Sequence, residues 1–263
     1  MELRFPSGGN LLAAHLARPP MRADTVAAPA VVLAHGYPSE VSATAVAASA
    51  LPELADRLAA EMGWLAMALA FRGCGESEGS FSLGGWLEDL GAAVGYLRAN
   101  ERVTGVWLAG FGTGGALALC AAAADPQIRG VAALGAPADF DDWASHPKRL
   151  LEHAREVGII DDPTFPTDVD AWGRELQQMS AVACAPKVAP RPLLVVHGSD
   201  DDLVPVFDAR VLVDAHGEGE LRIMNGAGHR VRHDPRAVAV LLGWLDRENQ
   251  SPRRSPSASS SGL

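Results

Sequence analysis

Two residues of complementary acid–base character follow successive apolar runs in the last third of the chain. Asp201 lies in the loop after the run Leu193–His197, and His229 lies in the loop after Leu221–Met224. The carboxyl ends of neighbouring parallel strands meet at one edge of a sheet, so a carboxylate and an imidazole in these loops can come together. The carboxylate would orient the ring and stabilise its protonated form, which is what general-base catalysis needs. The pair therefore predicts an acid–base site.

A glycine-rich turn earlier in the chain is the place where a nucleophile would be expected. The apolar, strand-like run Val106–Ala109 meets the turn Gly110–Gly114, and the helix-forming run Gly115–Ala124 follows. This context is typical of the nucleophile elbow G-x-S-x-G, in which a strained turn lifts a serine hydroxyl above the sheet. The position of the serine is occupied by Gly112, which offers neither an oxygen nor a thiol. The sequence therefore predicts an acid–histidine pair without its nucleophile.

Other reactive side chains near these motifs are poor substitutes for a serine. Thr113 follows Gly112 directly, but its side chain should leave the turn in another direction and face the packing beneath the helix. Cys74 lies on a different loop. His35 and His197 end buried strand-like runs beside glycine residues, so we expect them to pack or to form hydrogen bonds rather than to bind a metal ion. The sequence predicts no metal and no cofactor.

Alternating strand-like and helix-like runs must position these residues. The alternation predicts an α/β fold, with a mostly parallel, twisted sheet of about eight strands and helices on both faces. Beyond the runs already named, the predicted strands are Leu11–Ala17, Val31–His35, Trp64–Phe71 and Val131–Leu134, and the predicted helices are Leu51–Glu61, Trp86–Ala99 and Arg236–Arg247.

Two segments depart from the alternation of strands and helices, an insertion and a C-terminal tail. Residues 138–190 are predicted to be a small helical insertion, a lid over the site, with helices near Lys148–Val157 and Val169–Met179. We expect the folded domain to span residues 1–248. Residues 249–263 are rich in Ser and Pro and are predicted to be a disordered tail.

The composition excludes several classes of function. The formal net charge of −10 argues against nucleic acid or an anionic membrane as a partner, because both require clustered positive charge. No run approaches the ~18 consecutive apolar residues of a membrane span, and the N-terminus lacks the apolar core of a signal peptide. Cys74, Cys120 and Cys184 form an odd set without paired spacing, which is typical of reduced thiols. We therefore expect a cytoplasmic protein with a small-molecule partner, and the oligomeric state stays open.

Four motifs in a fixed order resemble the α/β-hydrolase superfamily, especially its small bacterial members with an F-R-G-x-G-x-S-x-G loop. They are the H-G-x-P segment His35–Pro38, the loop Phe71–Gly79, the H-G-x-x-D-x-x-V-P segment His197–Pro205 and the G-A-G-H segment Gly226–His229. The resemblance extends from Val31 to Asp246.

The resemblance implies the α/β-hydrolase fold and a set of site residues. It implies that Asp201 is the acid and His229 the catalytic histidine, with the backbone N–H groups of Tyr37 and Thr113 as oxyanion-hole donors. It also implies a serine at position 112, where this chain has glycine.

The sequence leaves three functions open. The first, which we favour, is a protein that lacks serine-esterase chemistry and binds a small acyl or apolar ligand, or a protein partner, in the former pocket. The second is an enzyme in which His229 and Asp201 act as a general base without a covalent intermediate. The third is an esterase-like hydrolase whose serine was replaced by Gly112, since one codon step separates the two residues.

Overall fold

The computed structural model describes residues 1–20, 26–38 and 43–250. Within these ranges the strands are Glu2–Ser7 (β1), Asn10–Ala17 (β2), Ala28–Ala34 (β3), Leu65–Leu69 (β4), Val103–Phe111 (β5), Ile128–Leu134 (β6), Leu193–Gly198 (β7) and Glu220–Met224 (β8). They form one sheet in the order β1-β2-β4-β3-β5-β6-β7-β8. Strands β1 and β2 are antiparallel to their neighbours and the rest are parallel. The carboxyl ends of β3, β5, β7 and β8 therefore share one edge.

Helices cover both faces of this sheet. They are Ala43–Met62 (α1), Leu83–Asn100 (α2), Thr113–Ala124 (α3), Asp141–Ser145 (α4), Pro147–Glu156 (α5), Val169–Gln178 (α6), Ala181–Val188 (α7), Val206–His216 (α8) and Pro235–Gln250 (α9), with a short 3₁₀ turn at Val231–His233. In the described ranges, none of these helices is both long and apolar enough to cross a membrane.

The central strand β3 shows how the apolar sequence builds two cores. Successive side chains of a strand point to opposite faces. Ala30 and Val32 accordingly belong to the cluster formed with α2, α3, α8 and the insertion helices, whereas Val31 and Leu33 belong to the cluster formed with α1 and α9. Because both faces are covered, nearly all of β3 is buried, which explains why it reads as a continuous apolar run.

The predicted fold is confirmed, and most of the differences outside the insertion lie at element boundaries. Helix α2 begins at Leu83 rather than near Trp86, because the Ser82 hydroxyl accepts a hydrogen bond from the Gly85 N–H and caps the first turn. Two glycines in that turn hide the helical pattern from the sequence.

The insertion and the C-terminal boundary also differ from the prediction. Four helices, α4 to α7, occupy the segment in which two were predicted. Helix α7 was missed because it is short and contains Pro186. Helix α9 continues to Gln250, two residues beyond the domain boundary predicted at 248. The rest of the predicted tail, residues 251–263, lies outside the described residues.

Candidate active site

The turn from β5 into α3 has the geometry that its glycines require. Strand β5 ends at Phe111, helix α3 begins at Thr113, and Gly112 between them has φ 53° and ψ −125°. A side chain at Gly110 would overlap the Gly114 carbonyl, and one at Gly114 would overlap the His35 carbonyl at the end of β3. The G-x-G-x-G spacing therefore allows the strand, turn and helix to approach one another closely.

Gly112 lies directly in front of an imidazole. A Cβ built on Gly112 would lie 3.7 Å from His229 Nε2 and 3.6 Å from the Gly36 Cα, which are ordinary contact distances. A small side chain would therefore fit at this position and would project toward the ring. In the native chain the α-carbon of Gly112 faces that ring without a hydroxyl.

The imidazole of His229 is held by Asp201 on the neighbouring loop. Its Nδ1 is 3.0 Å from Asp201 Oδ2 and 3.2 Å from Oδ1. The carboxylate side chain is fully buried, whereas that of His229 is 28% exposed. The structure thus brings together the two residues predicted to form the pair, and with Nδ1 bound to the acid, Nε2 faces position 112.

Asp201 is kept ionised by its surroundings. Burial alone would raise the pKa of this carboxyl, but hydrogen bonds from His197, His229 and the Val204 N–H outweigh it and hold the pKa well below its usual range. The Leu203 N–H also donates to Oδ1, at 3.0 Å. A permanently charged acid can orient the His229 ring and stabilise its protonated form.

A second histidine, His197, also contacts Asp201, and the sequence analysis did not predict this contact. His197 Nε2 lies 3.2 Å from Asp201 Oδ2 and 2.9 Å from the Val204 carbonyl oxygen, so it donates to oxygen atoms on both sides. Burial acts to lower the pKa of His197, but these bonds to Asp201 and Val204 raise it. The predicted hydrogen-bonding role of His197 is confirmed, and the four-residue spacing from His197 to Asp201 was the available signal for this contact.

The two predicted oxyanion donors flank Gly112. The loop that carries Tyr37 packs on the elbow, because a Cβ on Gly36 would lie 3.0 Å from the Phe111 carbonyl oxygen. Thr113 is the first residue of α3, where backbone N–H groups have no partner within the helix. Among the described residues, neither the Tyr37 N–H nor the Thr113 N–H donates to another backbone carbonyl outside the helix. Both groups are thus available to a ligand oxygen, while the Thr113 side chain is buried.

Aromatic side chains from the insertion and the core surround Tyr37. Its hydroxyl lies 3.1 Å from His153 Nδ1 on α5. Its ring centre lies 4.9 Å from that of Trp143 on α4 and 5.2 Å from that of Phe81. The insertion therefore contacts the same residue whose N–H is predicted to bind an oxyanion.

His35 beneath this loop makes the stability of the protein sensitive to acid. The ring is completely buried, with Nδ1 bonded to the Gly36 carbonyl and Nε2 accepting the Phe71 N–H, as its predicted hydrogen-bonding role requires. Burial lowers its pKa to about 4, and the charge of Arg232 adds to the effect.

Between pH 6.5 and 4 the unfolded chain binds a proton at His35 that the folded chain does not. We expect this site to remove ~2–3 kcal/mol from the free energy of unfolding over that window. Urea unfolding at pH 7 and pH 4.5 measures the loss, and His35→Gln should show a smaller loss because it cannot titrate. Identical pH profiles of the two proteins would contradict this assignment.

Comparisons with known proteins agree with this architecture. The profile of the Alpha/beta hydrolase family matches residues 31–241. The chain is 29% identical to a monoacylglycerol lipase of Mycolicibacterium smegmatis, and the match covers 82% of this chain and 87% of the lipase.

Solved structures are similar in fold. Est1E from Butyrivibrio proteoclasticus matches with a TM-score of 0.72 and 19% identity, covering 94% of this chain and 98% of that one. The esterase domain of a Rhodothermus marinus protein matches with a TM-score of 0.67 and 23% identity, again covering 94% and 98%. The family profile spans most of this chain, and the solved structures share its overall fold. This chain belongs to the alpha/beta hydrolase family.

Proposed function

We propose that this chain binds an ester-like or apolar acyl ligand beside His229 and does not form an acyl-enzyme. The observation that carries the proposal is the glycine at position 112, whose α-carbon faces His229 Nε2 at the strand-to-helix turn. Nucleophilic catalysis by this route requires an oxygen or sulfur within reach of the imidazole, and glycine has neither.

Neither alternative nucleophile meets that requirement. The Thr113 side chain is 4% exposed, and Cys74 is completely buried. Burial also raises the pKa of the Cys74 thiol, so almost none of it is the reactive thiolate at neutral pH. Neither Thr113 nor Cys74 therefore offers the acid–histidine pair an exposed hydroxyl or thiol to activate.

The surroundings of Gly112 favour a ligand that has one carbonyl oxygen and an apolar part. The N–H groups of Tyr37 and Thr113 can donate to the oxygen, and the partly exposed rings of Tyr37 and Trp143, which pack on each other, offer apolar surface. The names of the relatives, an esterase domain and a monoacylglycerol lipase, describe proteins that act on esters. For this chain we propose that such an ester is bound, and we do not propose that it is hydrolysed through an acyl-enzyme.

The native protein should bind ester-like ligands without being covalently labelled by them. We expect no adduct after incubation with a fluorophosphonate probe, and no acyl-protein after p-nitrophenyl butyrate, by intact mass spectrometry. A monoalkylglycerol ether, which cannot be hydrolysed, should bind in titration calorimetry, and Trp143→Ala should weaken that binding by ~10-fold because ring contact is lost. A stable acyl adduct on the native chain would overturn the proposal, as would the failure of every ether and ester tested to bind.

A second candidate function is favoured by the intact pairing of His229 with Asp201. A partly exposed imidazole held by a charged carboxylate can activate water or take a proton from a bound substrate without a covalent intermediate. Any turnover found in a substrate screen should then fall by ~10²–10⁴-fold in His229→Ala. Turnover that survives this substitution would exclude the general-base function.

A further inference from the structure

Two cysteines far apart in the sequence lie together in the fold. Cys120 is on α3, the helix that begins at the Gly112 turn, and Cys184 is on α7, the last helix of the insertion. The two helices pack against each other, and the two thiols lie close enough to affect each other's ionisation. Cys120 is buried and Cys184 is half-buried. Sequence spacing gave no sign of this pair, because the insertion separates its members.

The two thiols differ in reactivity. The hydrogen bond from Cys120 lowers the pKa of the Cys184 thiol to about 7, with help from the charge of Lys187 one turn further along α7 and against the effect of burial. The same hydrogen bond, followed by burial, raises the pKa of Cys120. Cys184 is the more exposed of the two thiols, so a peroxide in solution reaches its sulfur first, and the lowered pKa favours the reactive thiolate there. Cys120 is the buried partner behind it.

We propose that Cys120 and Cys184 are a modification site, which hydroperoxides oxidise to an intramolecular disulfide. The Cys184 thiolate attacks one oxygen of hydrogen peroxide, the O–O bond breaks, and the departing hydroxide takes a proton to give water and a sulfenic acid on Cys184. The Cys120 sulfur then attacks the Cys184 sulfur, the S–O bond breaks, and the hydroxide released takes the Cys120 proton as a second water. The two thiols are oxidised by two electrons and the peroxide is reduced by two.

The bond would fasten the end of the insertion to the helix of the elbow. In the reduced protein α7 is held to α3 by packing, and a covalent link between them restricts the unfolded chain and so stabilises the fold. The inference does not rest on the proposed function, since it concerns neither Gly112 nor His229.

The third cysteine is a control within the same chain. Cys74 is completely buried, and burial raises the pKa of its thiol. It should stay reduced under conditions that oxidise the pair.

The test is to treat the reduced full-length protein with a small molar excess of hydrogen peroxide at pH 7 and to count free thiols after denaturation. We expect the count to fall from three to one. Peptide mapping should find Cys120 linked to Cys184, dithiothreitol should restore both thiols, and the melting temperature of the oxidised protein should exceed that of the reduced one by several degrees.

Matched variants separate the roles of the three thiols. Cys74→Ser should respond as the native chain does. Cys184→Ser should keep its remaining thiols, and Cys120→Ala should stop at a Cys184 sulfenic acid that dimedone traps. If Cys120→Ala does not fold, the peptide map of the native protein decides alone. Three surviving thiols, a link through Cys74, or a disulfide between two chains would each overturn the proposal.

Discussion

A Gly112→Ser variant is expected to acquire ester hydrolysis and fluorophosphonate labelling, neither of which we expect of the native chain. The built Cβ at this position lies 3.7 Å from His229 Nε2, and a hydroxyl one bond further out can reach hydrogen-bond distance of that nitrogen. Loss of the nucleophile from a serine-protease triad costs ~10⁶-fold in turnover, so even an imperfectly placed serine should raise p-nitrophenyl butyrate hydrolysis by ~10³-fold. Initial rates and intact mass spectrometry measure the gain.

The same substitution should cost stability, because serine would have to adopt the conformation that glycine tolerates. At φ 53° and ψ −125° a residue with a Cβ is strained by ~1–3 kcal/mol. The matched control is Gly112→Ala, which carries the strain without the hydroxyl. Its free energy of unfolding should fall by the same amount as that of Gly112→Ser, and it should gain no esterase activity.

Comparing Gly112→Ser with Gly112→Ala tests whether the side chain at position 112 reaches a working base. A Gly112→Ser protein that melts cooperatively, like Gly112→Ala, and is still neither labelled nor active would show that position 112 does not present its side chain to a working base.

Replacing Asp201 by Asn in the Gly112→Ser background should remove most of the acquired activity. The carboxylate accepts from His229 Nδ1 and so leaves Nε2 free to take a proton from the new hydroxyl. An amide can donate to Nδ1 instead, which favours the wrong tautomer, and the corresponding change in a serine protease lowers turnover by ~10⁴-fold. We expect a loss of ~10³-fold or more in the rate of p-nitrophenyl butyrate hydrolysis.

The neighbouring acid provides the control for this second substitution. Asp202 is exposed, and it should tolerate Asn with little change in rate. His197 keeps the Val204 carbonyl as an acceptor in the Asp201→Asn protein, so one of its two contacts survives. Equal rates for the two Asn variants would contradict the assignment of Asp201 as the orienting acid.

The sequence predicted those parts of the molecule that have a local signature. The apolar runs predicted the sheet, and the loops after β7 and β8 placed Asp201 and His229 at one edge, where the structure brings them together. The glycine spacing predicted the tight turn, because Gly110 and Gly114 allow close backbone approaches and Gly112 has a positive φ.

What the sequence could not predict depends on contacts between distant segments. The thiols of Cys120 and Cys184 meet because α7 returns from the insertion to pack on α3. The periodicity of apolar residues did not predict helix α7. A short helix with an internal proline is stabilised by tertiary packing rather than by intrinsic helix propensity.

The hydrogen bond between Tyr37 and His153 has a consequence for how this fold can diversify. The backbone amide of Tyr37 lies beside the elbow, while its hydroxyl forms a hydrogen bond with His153 on α5 of the insertion. Grafting a foreign segment between β6 and β7 would remove that support, and the amide would lose its anchorage together with the cover above it. Replacing the insertion in this protein would therefore also disturb the loop of Tyr37 beside the elbow, so the two segments depend on each other.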